Sequence, residues 1–310
     1  MQSVYIRTAH VHFDLAAMTN LSEDHLDFHG TMENYLEAKT DLFKVLLANS
    51  QKPQKKAVFF IGDAYTKRVY KECADLNLGF DSYAVSPSEV RRGIQDETLR
   101  RCLIRDEEFL TPLVGEFSYW NVALCLECVR HSLGFDLKGF KEFLWTYRGP
   151  KGRLEEVKRN VFVDYAHTPD ALEKVLVTLR SELPDSGKLL LVFGCGGDRD
   201  RAKRPLMGAI AQQYSDVVVL TNDNPRGEAP QSIVDAILSG MNEESRKVHV
   251  ELSRSLAIRL ALEQRGDLDI VLVAGKGHED YQIIGEQRSY FSDQEEIAKI
   301  LNSEQVTSDG

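Results

Sequence analysis

The chain has 310 residues, of which 43% are hydrophobic and 28% are charged, and its formal net charge at pH 7 is −10. This length is sufficient for two domains that each bury a core, and the negative charge argues against nucleic acid as an electrostatic partner. The sequence has no apolar stretch of about 18 residues, the length that crosses a bilayer, and no recognisable leader. It therefore predicts a cytoplasmic protein without membrane insertion.

The first 50 residues combine a strand, a polar loop and a helix. Residues 12–20 predict the strand, which runs into a loop with two histidines, two aspartates and a glutamate. Thr31 is a suitable N-cap for a helix over residues 32–48. Lys39 falls on the apolar stripe of this helix. It is either a buried lysine with a partner, or an edge residue whose stem packs while its ammonium reaches water; the pattern alone favours the edge position.

The next hundred residues give weaker signals. Strands are predicted at 56–61 and 80–85, helices at 65–76, 120–133 and 137–147, and a charged surface segment at 86–105. The breakers in Arg148-Gly-Pro-Lys-Gly-Arg153 predict a boundary between domains 1–150 and 151–310.

The second half repeats units of strand, loop and helix, which predicts an α/β fold with a parallel sheet. The predicted strands are 161–164, 189–193, 216–221, 247–252 and 269–274, and the predicted helices are 169–183, 206–214, 231–241 and 254–264. Pro205 is placed as the first residue of its helix.

Glycine-bearing or charged loops follow these strands. They contain Asp164 and His167, Gly194-Cys-Gly-Gly, Asp223-Asn-Pro-Arg226, and Gly275-Lys-Gly-His-Glu279. Because carboxyl ends of parallel strands meet at one edge of a sheet, ligands bind there, and the arginines and carboxylates suit an anionic or zwitterionic ligand. The alternative is a set of solvated loops with capping residues, but the convergence of several loops favours binding.

The usual phosphate-binding patterns are absent from the sequence. Lys188 and Lys276 follow glycines, but neither has the upstream glycine or the following hydroxyl of a phosphate loop. Gly194-Cys-Gly-Gly is a weak nucleotide signal, because it lacks the Gly-x-Gly-x-x-Gly spacing.

Several motifs resemble the Mur ligase family. Residues 19–30 and Tyr35-Leu-Glu-Ala-Lys39 are similar to the central domain of that family. Four further stretches are similar to its C-terminal domain: 164–170, 194–200, 223–226 and 275–282. The resemblance covers nearly the whole chain. It implies a truncated central ATPase domain followed by a Rossmann-like C-terminal domain that binds an amino acid.

The resemblance also implies an activity. Mur ligases use ATP and Mg²⁺ to form an amide through an acyl phosphate in peptidoglycan synthesis. In this family an arginine that ends Asp-Asn-Pro-Arg226 goes with meso-diaminopimelate, which is added to UDP-N-acetylmuramoyl-L-Ala-D-Glu. A bidentate arginine suits the distal carboxylate of that amino acid, and Glu279, or alternatively Asp223, is expected to hold its distal ammonium.

Individual residues take expected roles from the resemblance. Lys39 matches a carbamylated lysine and His25 a histidine, which form the expected catalytic, magnesium-binding pair; Arg7 matches a contact to the muramoyl substrate. Asp164 and His167 match positions near the nucleotide. The expected amino-acid pocket consists of Arg199, Asp223, Asn224, Pro225, Arg226, Gly275 and Glu279.

The chain departs from the family pattern in two places. The uridine-binding domain, the phosphate loop and a magnesium-binding glutamate have no counterpart in the sequence. Ile61-Gly-Asp-Ala64 replaces Asn-Ala-Asp-Asp, and Gly115-Glu-Phe-Ser118 replaces Gly-x-Phe-Asn. Three interpretations follow: an N-terminally truncated ligase that is inactive alone, a non-catalytic protein that binds an amino acid or a partner, and a ligase completed by a separate chain that supplies the missing half.

Overall fold

The computed structural model describes residues 10–22, 26–92, 100–132, 137–242 and 248–308. The contacts within the chain form two units, Met1–Tyr147 and Arg148–Gly310. Arg7 and His25 lie outside the described residues, so their expected roles stay predictions. Among the residues that are described, no helix is long and apolar enough to cross a membrane.

The first unit is built around a parallel sheet of three strands. Its order is β1 (Leu15–Met18), β2 (Lys56–Phe60) and β3 (Asp81–Val85). The central strand is covered on both faces, since Ala57 and Phe59 belong to one buried cluster and Val58 and Phe60 to another. This alternation follows from the two-residue period of a strand.

Helices contribute to both of these clusters. The helices of this unit are α1 (Leu26–His29), α2 (Met32–Asp41), α3 (Ala64–Asp75), α4 (Glu116–Ser132) and α5 (Leu137–Thr146). The predicted N-cap of α2 is confirmed, because the Thr31 hydroxyl accepts a hydrogen bond from the Asn34 amide at 3.2 Å. After α2 the chain continues as a wider π-helical segment, Leu42–Leu47. Asp63, in one of the motifs that depart from the family pattern, caps α3 by accepting from the Tyr65 and Thr66 amides.

Two strands fall among the described residues of the segment predicted as charged surface. An antiparallel sheet is formed in the order β4 (Val90–Arg92), β5 (Arg100–Ile104) and β6 (Glu107–Thr111). Arg91, Arg92 and Arg101 are exposed, which agrees with the predicted charged surface at residues 86–105, but the strands in this segment were not predicted. Cys102 and Ile104 are buried, whereas Arg101 is exposed and lies 3.7 Å from Glu108 on the neighbouring strand.

The second unit contains a six-stranded sheet in the order β11-β10-β9-β12-β8-β7. The strands are β7 (Glu155–Lys158), β8 (Val161–Asp164), β9 (Leu189–Phe193), β10 (Val217–Leu220), β11 (Val248–Val250) and β12 (Ile270–Ala274). All neighbouring pairs are parallel except β7 with β8. The two central strands, β9 and β12, are completely buried, as expected for a parallel sheet with both faces covered. The predicted α/β fold class is confirmed.

Helices and a hairpin complete this unit. They are α6 (Pro169–Arg180), α7 (Lys203–Tyr214), α8 (Pro230–Leu238), α9 (Arg254–Gln264), α10 (Asp293–Ser308), and the antiparallel pair β13 (Tyr281–Ile284) and β14 (Gln287–Tyr290). Because α7 begins at Lys203, Pro205 is its third residue and not its first. Proline is tolerated there because the amides of the first turn have no partner within the helix.

A buried ion pair joins the first residues of α9 and α10. Arg254 donates from Nε and Nη2 to the two carboxylate oxygens of Asp293, at 2.7 and 2.8 Å, and neither side chain is exposed. The same guanidinium donates to the carbonyl of Ala274, at the end of β12 (3.0 Å), and to that of Asn222, just after β10 (3.3 Å). One side chain therefore connects two strand ends to two helices.

Removing one member of this pair is expected to destabilise the fold. Asp293→Ala leaves Arg254 buried without its counter-ion, so the free energy of unfolding should fall by about 3–5 kcal/mol. Urea unfolding followed by far-UV circular dichroism measures this change. Asp170→Ala is the matched control, because the Lys174–Asp170 pair is exposed (2.7 Å) and should contribute less than about 1 kcal/mol. An Asp293 variant no less stable than the control would contradict the expectation.

Candidate functional site

Four loops leave the carboxyl ends of neighbouring parallel strands in the second unit. They follow β8, β9, β10 and β12, and β12 lies between β8 and β9 in the sheet. Carboxyl ends of parallel strands lie at the same edge, where open α/β sheets bind their ligands. The structure therefore brings the four polar segments to a single edge, as the sequence predicted.

A buried lysine lies between two of these loops. The side chain of Lys276 is 0% exposed. Its Nζ lies 3.4 Å from Asp223 Oδ1, 3.1 Å from Asn224 Oδ1 and 2.8 Å from the carbonyl oxygen of Tyr281. Burial lowers the pKa of Lys276, and the charge of Asp223 acts in the opposite direction. The paired carboxylate thus favours the charged ammonium within the protein.

Sequence reasoning missed Lys276 as a site residue. Its flanking residues lack the upstream glycine and the following hydroxyl of a phosphate loop, so the sequence pattern gives this lysine no role. A lysine between two glycines directly after a fully buried strand was the available signal. The contacts that give it importance come from residues more than 50 positions earlier in the chain.

Asn224 connects this lysine to Glu279. Its Oδ1 accepts from Lys276 and from the Ile283 amide (2.9 Å), and its Nδ2 donates to Glu279 Oε2 at 3.0 Å. Gly275 is required beside this network, because its φ is +113° and a Cβ there would lie 2.7 Å from Asp223 Oδ2. Four residues of the expected pocket, Asp223, Asn224, Gly275 and Glu279, are therefore in contact or adjacent.

The backbone of Arg226 is held by the end of the β13–β14 hairpin. Its amide donates to the Ile283 carbonyl (3.1 Å), and its own carbonyl accepts from the Gly285 amide (2.8 Å). The residue has a φ of +51°, an uncommon conformation for a non-glycine residue. Its half-buried side chain donates from Nη1 to the carbonyl of Gly197 at 2.9 Å, and a guanidinium has further N–H donors.

The glycine-rich loop after β9 packs against the segment that carries Arg226. The Gly197 amide donates to the Asn224 carbonyl at 2.9 Å, and a Cβ at Gly197 would lie 1.9 Å from the carbonyl oxygen of Pro225. Only a glycine permits this approach. Arg199 from the same loop is exposed, and its described hydrogen bond is to the Asp198 carbonyl. Its stem lies beside Gly196, as does the Arg226 guanidinium: a Cβ at Gly196 would be 3.6 Å from Arg199 Cγ and 3.1 Å from Arg226 Nη1.

Glu228 ties these two loops together. It accepts from Nη1 and Nη2 of the buried Arg204, at 3.0 and 2.8 Å, and from the Asp198 amide at 2.6 Å. Arg204 also donates to the Gly196 carbonyl at 3.2 Å. The hydrogen bonds from Arg204, followed by the one from Asp198, lower the pKa of Glu228 to about 2.

The residues expected near a nucleotide lie in the loop after β8. The carboxylate of Asp164 is buried and accepts from the amides of Leu154 (2.6 Å) and Ala166 (2.7 Å). Burial raises the pKa of Asp164, and these two hydrogen bonds oppose that shift. The Nδ1 atom of His167 lies 2.9 Å from the Tyr165 carbonyl. Asp164 thus shapes the turn that presents His167.

Lys39 occupies an exposed position on α2. Its Nζ lies 5.3 Å from the centre of the Tyr35 ring, so the edge position favoured by the pattern is confirmed. Within the part of the chain that the structure describes, no three His, Cys, Asp or Glu side chains are grouped closely enough to hold a metal ion.

Two family models match the chain. The Mur ligase middle domain matches residues 2–129, and the Mur ligase glutamate ligase domain matches residues 152–277.

Individual relatives agree with these matches. UDP-N-acetylmuramoyl-L-alanyl-D-glutamate--2,6-diaminopimelate ligase of Chlamydia felis (strain Fe/C-56) is 38% identical over 310 residues, covering 96% of this chain and 61% of that protein. The ligase of the same name from Clostridioides difficile (strain 630) is 39% identical, covering 94% and 60%. A solved structure of a UDP-N-acetylmuramoyl-L-alanyl-D-glutamate--2,6-diaminopimelate ligase superposes with a TM-score of 0.62 at 34% identity, over 96% of this chain and 62% of that one. The chain thus spans about three fifths of the length of these relatives.

Glu228 anchors the two loops through the hydrogen bonds that its carboxylate accepts from Arg204 and Asp198. This anchor predicts that stability depends on pH. Its pKa in the folded protein, about 2, lies below the ordinary value of 4.5. The ionised carboxylate therefore stabilises the fold fully above pH 4.5, and this stabilisation is lost as the pH falls from 4.5 towards 2. The melting temperature of the unmodified chain should exceed that of Glu228→Gln at neutral pH, and the difference should shrink on acidification. Glu263→Gln, at an exposed position, is the control. A difference that is independent of pH would exclude the carboxylate as the anchor.

Proposed function

The chain belongs to the Mur ligase family, and on this premise we propose that its second unit binds meso-diaminopimelate for an ATP-dependent ligase. The ligase would join this amino acid to UDP-N-acetylmuramoyl-L-Ala-D-Glu in peptidoglycan precursor synthesis. Relatives 38 and 39% identical carry that activity in their names. The proposal includes a cytoplasmic location.

The observation that carries the proposal is the pairing of opposite charges at one sheet edge. The distal end of meso-diaminopimelate has a carboxylate and an ammonium group. Arg226 offers a planar fork of donors that suits the carboxylate, and its backbone is fixed by two hydrogen bonds to the hairpin. Glu279 is partly exposed and is held by Asn224, so it suits the ammonium. Asp223 is a weaker candidate, because it is buried and already faces Lys276.

The remaining site residues belong to the same proposal. We assign Asp164 and His167 to the nucleotide side, where the buried carboxylate orders the turn and the histidine is presented by it. Pro225 and Gly275 shape the pocket through their backbones. We also assign Arg199 to the ligand. To contact it, the Arg199 side chain would have to break its hydrogen bond to the Asp198 carbonyl.

Magnesium and a carbamylated Lys39 also belong to the proposal. The exposed amine of Lys39 is open to carbon dioxide, and carbamylation converts a cation into an anion with the oxygen donors that Mg²⁺ prefers. His25 and Arg7 keep their proposed roles as metal ligand and substrate contact. A bound Mg²⁺ would supply charge stabilisation at phosphate oxygens. Because the chain spans 61% of its relative in length, turnover is proposed for a protein that also carries a phosphate loop, in the same polypeptide or as a separate chain.

Arg226→Ala is expected to weaken binding of meso-diaminopimelate. Loss of a charge-assisted bidentate contact should lower the affinity by about tenfold or more, as measured by calorimetry on the 310-residue chain. Arg159→Ala, at an exposed position in the same unit, should bind normally. The assignment of the pocket would be contradicted if the unmodified chain bound no diaminopimelate, or if Arg226→Ala bound it equally well.

Amino-acid-dependent ADP release separates binding from catalysis. The assay contains ATP, Mg²⁺, the muramoyl dipeptide and meso-diaminopimelate, with and without an added chain that carries a phosphate loop. Turnover in either condition supports the ligase. Binding without turnover in both conditions would favour a non-catalytic amino-acid-binding protein.

Carbamylation of Lys39 is expected to be visible by carbon-13 NMR in labelled bicarbonate. The unmodified chain should show a carbamate signal that is lost in Lys39→Arg, because a guanidinium does not form a carbamate under these conditions. Lys67→Arg, on exposed α3 surface, is the control. A signal that persists in Lys39→Arg would assign the carbamate elsewhere.

A further inference from the structure

We propose that Lys276 is a positioning residue that makes the pocket selective for an amino acid with a distal ammonium group. It acts through Asn224 on Glu279 and does not contact the ligand. The inference rests on the proposed function, because it concerns the same pocket, but one of its tests needs no ligand.

The first step is that Lys276 has no capacity left for a ligand. Its side chain is completely buried. An ammonium group has three donors, and three acceptors surround Nζ: Asp223 Oδ1, Asn224 Oδ1 and the Tyr281 carbonyl oxygen. A ligand at the exposed side of the site therefore meets the residues around Lys276 and not its ammonium.

The second step is that Lys276 fixes the orientation of the Asn224 amide. The Oδ1 atom of Asn224 accepts from two donors, the Lys276 ammonium and the Ile283 amide. In the flipped amide, the NH₂ group would face both of these donors and would have no acceptor there. The observed orientation is thus imposed, and it directs Nδ2 to Glu279 Oε2 at 3.0 Å.

The third step concerns which carboxylate remains available to a cation. Lys276 faces Asp223, so this carboxylate already has a cationic partner. Glu279 accepts a hydrogen bond from the neutral Asn224 amide, and it is partly exposed. Its negative charge is thereby held in one place and left for the ligand. Without Lys276 only the Ile283 amide still donates to Asn224 Oδ1, so the Asn224 amide and, through it, Glu279 are less tightly positioned.

The test compares two ligands that differ only at the distal amine. One is meso-diaminopimelate and the other is L-2-aminopimelate, which has the same chain and both carboxylates but lacks that amine. Calorimetry on the full chain should show that Lys276→Met lowers the affinity for diaminopimelate by about tenfold, the effect of losing a hydrogen bond to a charged group. The affinity for aminopimelate should change little. Lys174→Met, at an exposed lysine, should leave the ratio of the two affinities unchanged.

A merely structural lysine gives a different result. In that case Lys276→Met lowers the affinity for both ligands by the same factor. The ratio of the two affinities is then unchanged, which would overturn the proposal. If Lys276→Met does not fold, Lys276→Met with Asp223→Asn removes both buried charges and is compared with Asp223→Asn alone. The proposal expects the ratio of the affinity for diaminopimelate to that for aminopimelate to be lower in the double variant than in Asp223→Asn alone. An equal ratio contradicts it.

A ligand-free measurement separates this inference from the proposed function. The side-chain amide of Asn224, assigned with Asn224→Ala, is observed by nitrogen-15 NMR in the unmodified chain and in Lys276→Met. Its resonances should move and its protons should exchange faster in the variant, and Lys174→Met should leave both unchanged. Failure of the unmodified chain to bind either ligand would reject the proposed function alone. An Asn224 amide unaffected by Lys276→Met would reject the positioning role alone.

Discussion

A charge that is buried in a protein must meet a partner, since an unpaired one is strongly destabilising. Three buried cations near the carboxyl ends of the strands in the six-stranded sheet have such partners. Each of them connects segments that are distant in sequence. Arg204 meets Glu228 and joins two loops. Arg254 meets Asp293 and connects two strand ends to two helices. Lys276 joins the loop after β10 to the start of the hairpin. The geometry of this edge depends on these pairs.

Above these buried pairs are polar side chains that are well positioned and still accessible to a ligand. Arg226 and Glu279 are partly exposed, and each is held by backbone or side-chain hydrogen bonds from neighbouring elements. Groups that are already ordered lose little conformational freedom when a ligand arrives, so more of their interaction energy appears as affinity. Partly exposed charges of both signs, held in place by contacts with neighbouring elements, are therefore suited to binding a small zwitterion.

The sequence predicted the parts of the fold that local patterns encode. The apolar runs of β8, β9, β10 and β12 and the Thr31 cap were recognisable because burial and capping depend on neighbouring residues. The three strands between 90 and 111 were missed, since β5 and β6 each begin with two adjacent charged residues and only the three residues that follow alternate in burial. Lys276 was missed for another reason: its importance comes from Asp223 and Asn224, which only the tertiary structure brings to it. Spacing in the sequence does not encode such contacts.

The two units differ in how completely their expected sites are described. In the second unit, Asn224, Arg226 and Glu279, which belong to the proposed amino-acid pocket, are held by contacts internal to that unit. In the first unit, Lys39 is exposed, and its proposed companions Arg7 and His25 lie outside the described residues. The hydrogen bonds that orient Arg226 and Glu279 come from residues of the second unit itself. If the second unit binds the proposed amino acid, that binding is expected to be separable from turnover, because the contacts that orient Arg226 and Glu279 lie within this unit.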